Sequence, residues 1–109
     1  PVFDLILLGI GDDGHTASIF PDNMELLESE KSVEVATHPV SGQKRITLTG
    51  KTINNANRVI FLVTGKNKSG IISEIVNGAS EAEKYPAAYI RSLAGKAAFF
   101  LDTAAANEL

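Results

Sequence analysis

The chain has 109 residues, 44% hydrophobic and 21% charged, with a formal net charge of −3, the balance of an ordinary globular protein and enough chain for one small domain or part of a larger one. It contains no Cys, which excludes disulfides and thiolate metal sites, and no Lys/Arg block or basic-aromatic stripe, which argues against nucleic acid as a partner. No apolar run reaches the roughly 18 residues of a membrane span, and no signal-peptide pattern opens the sequence, so the expected location is the cytoplasm, away from any membrane.

Taken in order, Leu5-Ile6-Leu7-Leu8 is a continuous apolar run that ends in Gly9-Ile10-Gly11. Such a run predicts a parallel strand buried on both faces. Between Pro21 and Val40 the pattern predicts a short helix near Met24 to Leu27 and a strand near Val33 to Thr37. Arg45 to Thr49 alternates, which on a strand turns Ile46 and Leu48 to the core and Arg45, Thr47 and Thr49 to the other face. Val59 to Val63 is a second buried-strand run, closed by Thr64-Gly65. Ile71, Ile72, Ile75 and Val76 then mark one face of a helix over about Lys68 to Val76, with Asn77-Gly78 as its C-cap. A short helix with Pro at its first turn is predicted for Pro86 to Leu93, and a third buried strand for Ala97 to Leu101. Strands alternating with helices give an α/β class: a mainly parallel, Rossmann-like open sheet flanked by helices.

The segment Gly9-Ile10-Gly11-Asp12-Asp13-Gly14-His15-Thr16-Ala17-Ser18-Ile19-Phe20-Pro21 concentrates the chemistry. It follows a strand, and open α/β sheets bind ligands beyond the carboxyl ends of their strands. Gly9, Gly11 and Gly14 satisfy G-x-G-x-x-G, with Glu34 about 20 residues on, as a dinucleotide site has. Against that reading, Asp12 and Asp13 put two carboxylates where a pyrophosphate would lie, and Pro21 interrupts the helix that would receive it. The alternative is a catalytic turn. His15 suits general acid/base work near neutral pH, and Asp12 or Asp13 is near enough in sequence to orient it. A plain solvated loop is the bland third reading. His38 has no partner pattern and reads as an exposed strand-end residue. Asp12, Asp13 and His15 lack the convergence a metal needs.

This segment resembles the signature of the 6-phosphogluconolactonases, which share a G-x-G-x-D-G-H-x-A core with the glucosamine-6-phosphate deaminases. The similarity continues through Arg45-Ile46-Thr47-Leu48-Thr49, through Asn54-Asn55-Ala56 with Val59 to Gly65, through Gly65-Lys66-Asn67-Lys68 as G-x-x-K, and into Pro86-Ala87 and Leu101-Asp102 with Ala104 to Ala106. It covers nearly the whole chain, least clearly at 22–40 and 79–85. The deaminase branch continues into an Asn-Glu-Pro step; here Ile19, Phe20 and Pro21 stand instead. Phe20 cannot take a proton or orient an imidazole, so the resemblance leans to the lactonases.

The resemblance implies hydrolysis of 6-phosphogluconolactone in the oxidative pentose phosphate pathway, with no cofactor and no metal. His15 would be the general base on water and Asp13 its orienting carboxylate. Backbone N–H groups of the turn at Gly11 and Gly14 would be candidate oxyanion donors, and Arg45 and Lys68 the phosphate ligands. A deaminase/isomerase-like enzyme and a non-catalytic sugar-phosphate or dinucleotide-binding module remain as alternatives. The family also carries an N-terminal half with a glycine- and serine-rich phosphate loop that is not found here. Residues 1–109 are therefore expected to be the C-terminal portion of one lactonase domain, with self-association through the edges such a division exposes, and with the isolated portion inactive if essential groups lie in the other half.

Overall fold

The computed structural model describes residues 1–91 and 97–109. Five strands are present among them: β1 (Ile6–Leu8), β2 (Val33–Thr37), β3 (Lys44–Leu48), β4 (Val59–Val63) and β5 (Ala97–Leu101). Two α-helices, α1 (Gly50–Asn54) and α2 (Ser69–Val76), and four 3-10 turns are the other elements among the described residues. β1, β4 and β5 form a parallel sheet in the order β1-β4-β5, with Ile6 opposite Val59 and Phe61 opposite Phe99. The expected α/β class with a parallel sheet is what forms. β2 and β3 are a separate antiparallel pair, Val35 opposite Ile46.

The core lies on one side of the parallel sheet. Ile6, Leu8, Val59, Phe61 and Val63 face Ile19, Ile53, Ile72 and Ala105, all buried. The Phe61 and Phe99 rings stack across adjacent strands at 4.9 Å. The expectation of burial on both faces fails: Leu5, Leu7, Leu62 and Phe100 are each about half exposed. Strand period explains the pattern, since alternate residues leave on opposite faces. Ile60, on the same face as Leu62, is nonetheless buried.

The face assignment of β3 is also corrected. Ile46 is 79% exposed, while Thr47 and Thr49 are buried and Leu48 packs only partly against the core. Burial of the threonines is tolerated because each hydroxyl is satisfied. Thr47 Oγ1 accepts from the Ser18 N–H and donates to the Leu48 carbonyl. Thr49 Oγ1 donates to the Lys31 carbonyl and caps α1 by accepting from the Thr52 N–H. Alternation alone cannot register such partners.

Within 21–40, β2 forms over the expected Val33–Thr37, while the short helix expected near Met24 to Leu27 is a 3-10 segment over Pro21–Leu27, kinked at Asn23. The predicted helix from Lys68 begins at Ser69, preceded by a 3-10 turn over Lys66–Lys68, and ends at Val76 with Asn77 as C-cap, just before a positive-φ Gly78. The late helix is a 3-10 turn over Pro86–Tyr89; its predicted end at Leu93 lies outside the described residues. Among the described residues no helix is long and apolar enough to cross a membrane.

Candidate active site

The loop after β1 folds back on itself. Thr16 Oγ1 donates to the Gly9 carbonyl at 2.8 Å, the Gly11 N–H donates to the His15 carbonyl at 2.8 Å, and the Gly14 N–H donates to the Gly11 carbonyl at 2.9 Å. Two glycines are required here for different reasons. At Gly11 a Cβ would collide with the His15 imidazole, so the missing side chain is the space the ring occupies. At Gly14 the backbone has φ 84° and lies against the Tyr85 ring, so a side chain is excluded both conformationally and sterically. The Gly14 carbonyl accepts from the Ala87 N–H at 3.0 Å, which ties the loop to the Pro86–Tyr89 turn.

His15 Nδ1 lies 2.6 Å from Asp13 Oδ1, and the same oxygen accepts from the His15 backbone N–H at 3.0 Å. With a proton on Nδ1 facing the carboxylate, Nε2 of the neutral ring carries the lone pair. Partial burial acts to raise the Asp13 pKa. Hydrogen bonds from the His15 backbone and ring, with the attraction of the imidazole, outweigh burial and hold it below the usual carboxylate value. The His15 side chain is about one-third exposed. It borders an open cavity of about 380 Å³ lined also by Leu7, Leu8, Gly9, Ile10, Gly11 and Ala17. The cavity therefore sits at the carboxyl end of β1, where open α/β sheets bind ligands.

Arg45 and Lys68 both reach the neighbourhood of this loop, by different routes. Arg45 leaves β3 with its guanidinium carbon 5.9 Å from the centre of the Phe20 ring, whose other neighbour is His15 at 4.7 Å. Its Nε–H donates to Gln43 Oε1 at 3.0 Å. Lys68 sits at the start of α2, and its ammonium donates to the Ile10 carbonyl at 2.7 Å and pairs with Asp12 at 3.1 Å. Asn67 Nδ2 donates to the same Asp12 carboxylate. Lys68 thus clasps the glycine turn from a residue 58 positions later.

Several expectations change on contact with this geometry. The N–H groups of Gly11 and Gly14 are committed to carbonyls inside the loop, so they do not face outward as oxyanion donors. Beside Lys68, Ser69 Oγ donates to the Glu108 carboxylate at 2.8 Å, so the start of α2 already has an anionic neighbour. His38 has partners: its Nδ1 accepts from the Val40 and Ser41 N–H groups, and its ring packs edge-on against Phe20 at 5.2 Å. Ala17 lines the cavity with a φ of 50°, a left-handed conformation that a sequence reader assigns to glycine or asparagine and so cannot find at an alanine. Thr47 joins the loop to β3 through Ser18; its only sequence signal was a place on the Arg45 face.

The profile of the family described as glucosamine-6-phosphate isomerases/6-phosphogluconolactonase matches residues 1–99. This chain belongs to that family. It is 45% identical to the 6-phosphogluconolactonase of Haemophilus influenzae over 99% of the chain and 46% of that protein. Against the 6-phosphogluconolactonase of Bos taurus the identity is 44%, over 100% of the chain and 42% of the relative. Among solved structures, the crystal structure of devB protein superposes with a TM-score of 0.93 at 43% identity, covering 100% of the chain and 45% of that structure. The 6-phosphogluconolactonase from Trypanosoma cruzi gives 0.86 at 38% identity, covering 100% and 42%. The chain therefore spans less than half the length of these family members.

Proposed function

We propose that this chain carries the water-activating centre of a 6-phosphogluconolactone hydrolase of the oxidative pentose phosphate pathway, acting in the cytoplasm. The observation that carries the reading is the His15–Asp13 pair at the edge of an open cavity, 2.6 Å between Nδ1 and Oδ1. Asp13 holds the proton on Nδ1 and stabilises the imidazolium that forms. Nε2 then takes a proton from a water that attacks the lactone carbonyl. The tetrahedral oxyanion collapses, the ring C–O bond breaks, and the proton on Nε2 passes to the departing alkoxide. Hydrolysis leaves a carboxylate and a hydroxyl, with no covalent enzyme intermediate.

The substrate phosphate is assigned to Arg45 and Lys68. A guanidinium suits phosphate through paired N–H donors. Lys68 has three ammonium donors, and its two observed partners, Ile10 and Asp12, leave one direction for an anion. The family resemblance, through Arg45 in Arg-Ile-Thr-Leu-Thr and Lys68 in Gly-x-x-Lys, supports both assignments.

The test is hydrolysis of freshly generated 6-phosphogluconolactone, followed by acid release with the spontaneous rate subtracted. Parent and His15→Ala are compared as the 109-residue chain, and again with the chain replacing its counterpart in the Haemophilus influenzae relative. The expected result is loss of about 10²-fold or more of the rate in His15→Ala. Equal rates for parent and variant in the grafted enzyme would remove His15 from the mechanism.

A further inference from the structure

Phe20 closes the glycine–histidine loop just before the Pro21–Leu27 turn and is only 1% exposed. Three side chains from separate parts of the chain gather on its ring. The His15 ring lies 4.7 Å away, tilted by 42°. The His38 ring, just past β2, meets it edge-on at 5.2 Å and 70°. The Arg45 guanidinium, from β3, lies 5.9 Å from its centroid. Aromatic faces attract guanidinium and imidazolium groups, and tilted or edge-on ring pairs are the favoured contacts.

Each of the three is also held away from the ring. His15 is tied to Asp13 through Nδ1, and Arg45 to Gln43 through Nε. His38 Nδ1 accepts from the Val40 and Ser41 N–H groups at 3.2 and 3.1 Å, which fixes its ring in the turn between β2 and β3. A side chain gripped at its polar end and resting on a buried ring has little freedom left. The two groups assigned to the reaction, His15 and Arg45, therefore have one support in common.

We propose that Phe20 is a positioning residue: its ring sets the separation between the His15 imidazole and the Arg45 guanidinium, and His38 braces the ring's edge. This rests on the reading of His15 as base and Arg45 as phosphate ligand. The ring then acts as a spacer that selects substrates by the distance between their phosphate and their reacting carbonyl.

The test uses the 109-residue chain with inorganic phosphate as probe. Proton NMR reports the ring-current shifts of His15, His38 and the Arg45 side chain. In Phe20→Leu these three sets of signals move together toward unshifted positions, while those of Phe61 and Ile72 stay. Phosphate affinity falls roughly two- to five-fold, and that loss disappears in an Arg45→Gln background. A loss of the same size in the Arg45→Gln background, or unchanged His15 and Arg45 signals, overturns the proposal. If the parent chain does not bind phosphate, the assignment of Arg45 fails on its own, and the downfield Nδ1–H signal of His15, which reports its 2.6 Å pairing with Asp13, still decides the role of Phe20: its loss in Phe20→Leu supports positioning, and its persistence overturns the proposal. If Phe20→Leu does not fold, His38→Gln replaces it: removing the brace must shift both the His15 and the Arg45 signals, and their stillness overturns the proposal.

Discussion

The two glycines of the loop separate site geometry from fold stability. A Cβ on Gly11 would overlap Cε1 and Nδ1 of His15 and lie 2.9 Å from Nε2, whereas ordinary contact begins near 3.4 Å. The backbone at Gly11 is not in the left-handed region, and the three atoms nearest to an added Cβ all belong to the His15 imidazole, which must give way against its hold on Asp13. A retreat of about 1 Å takes the 2.6 Å Nδ1···Oδ1 contact past the limit of a hydrogen bond. Gly11→Ala is therefore expected to cost less than about 1 kcal/mol of stability, yet to abolish the His15–Asp13 pair and with it about 10²-fold of any base-assisted rate. Gly14→Ala meets φ 84° and the Tyr85 ring together. It is expected to cost about 2 kcal/mol or more through the left-handed backbone alone. Urea unfolding gives the stabilities, and the downfield Nδ1–H signal of His15 reports the pair. A Gly11→Ala chain that keeps that signal, or that loses as much stability as Gly14→Ala, would refute the reasoning.

Three other outcomes follow from the same geometry. The lowered Asp13 pKa means that the folded chain binds fewer protons than the unfolded one in acid. Its stabilising contribution is complete above the unfolded carboxylate pKa of about 3.9 and disappears as pH falls through the folded value; the acid limb of urea midpoints is expected to be shallower in Asp13→Asn, and identical limbs count against the pairing. Lys68→Met removes the donor to the Ile10 carbonyl and the partner of Asp12, so amide exchange at Gly11 and Gly14 is expected to quicken about ten-fold or more. Asp12→Asn is expected to do less, because Asp12 is 78% exposed and such pairs are weak. Leu7, Leu62 and Phe100 leave an apolar surface on the open side of the sheet, and such surfaces associate. Light scattering is expected to show concentration-dependent association that Leu7→Lys with Phe100→Lys suppresses; a parent chain that stays monomeric at high concentration contradicts this.

Much of the fold was legible in local pattern. The apolar runs at Ile6–Leu8, Val59–Val63 and Ala97–Leu101 became strands, because length and bounding turns distinguish them from helix. The helix from Ser69 to Val76 was marked by its apolar face and by the glycine beyond it. What failed was the assignment of faces. Leu7 and Ile46 look outward while Thr47 and Thr49 are buried, since burial depends on what packs against a face and on where a hydroxyl finds its partner.

The candidate site divides in the same way. His15, Asp13 and the glycines lie within a few residues of one another, so their type and spacing already carried the chemistry that a short turn can assemble. Distant arrivals were not written in any local pattern. Lys68 crosses 58 positions to hold the Ile10 carbonyl, Glu108 occupies the start of α2, and His38 meets Phe20 across the β2–β3 hairpin. The sequence by itself determined the strands and the glycine–histidine turn proposed as the reactive centre, because backbone preference and spacing are local properties. Tertiary structure alone decided what Arg45 and Lys68 touch near that turn and which donors are already taken, because those depend on distances between segments that only packing sets.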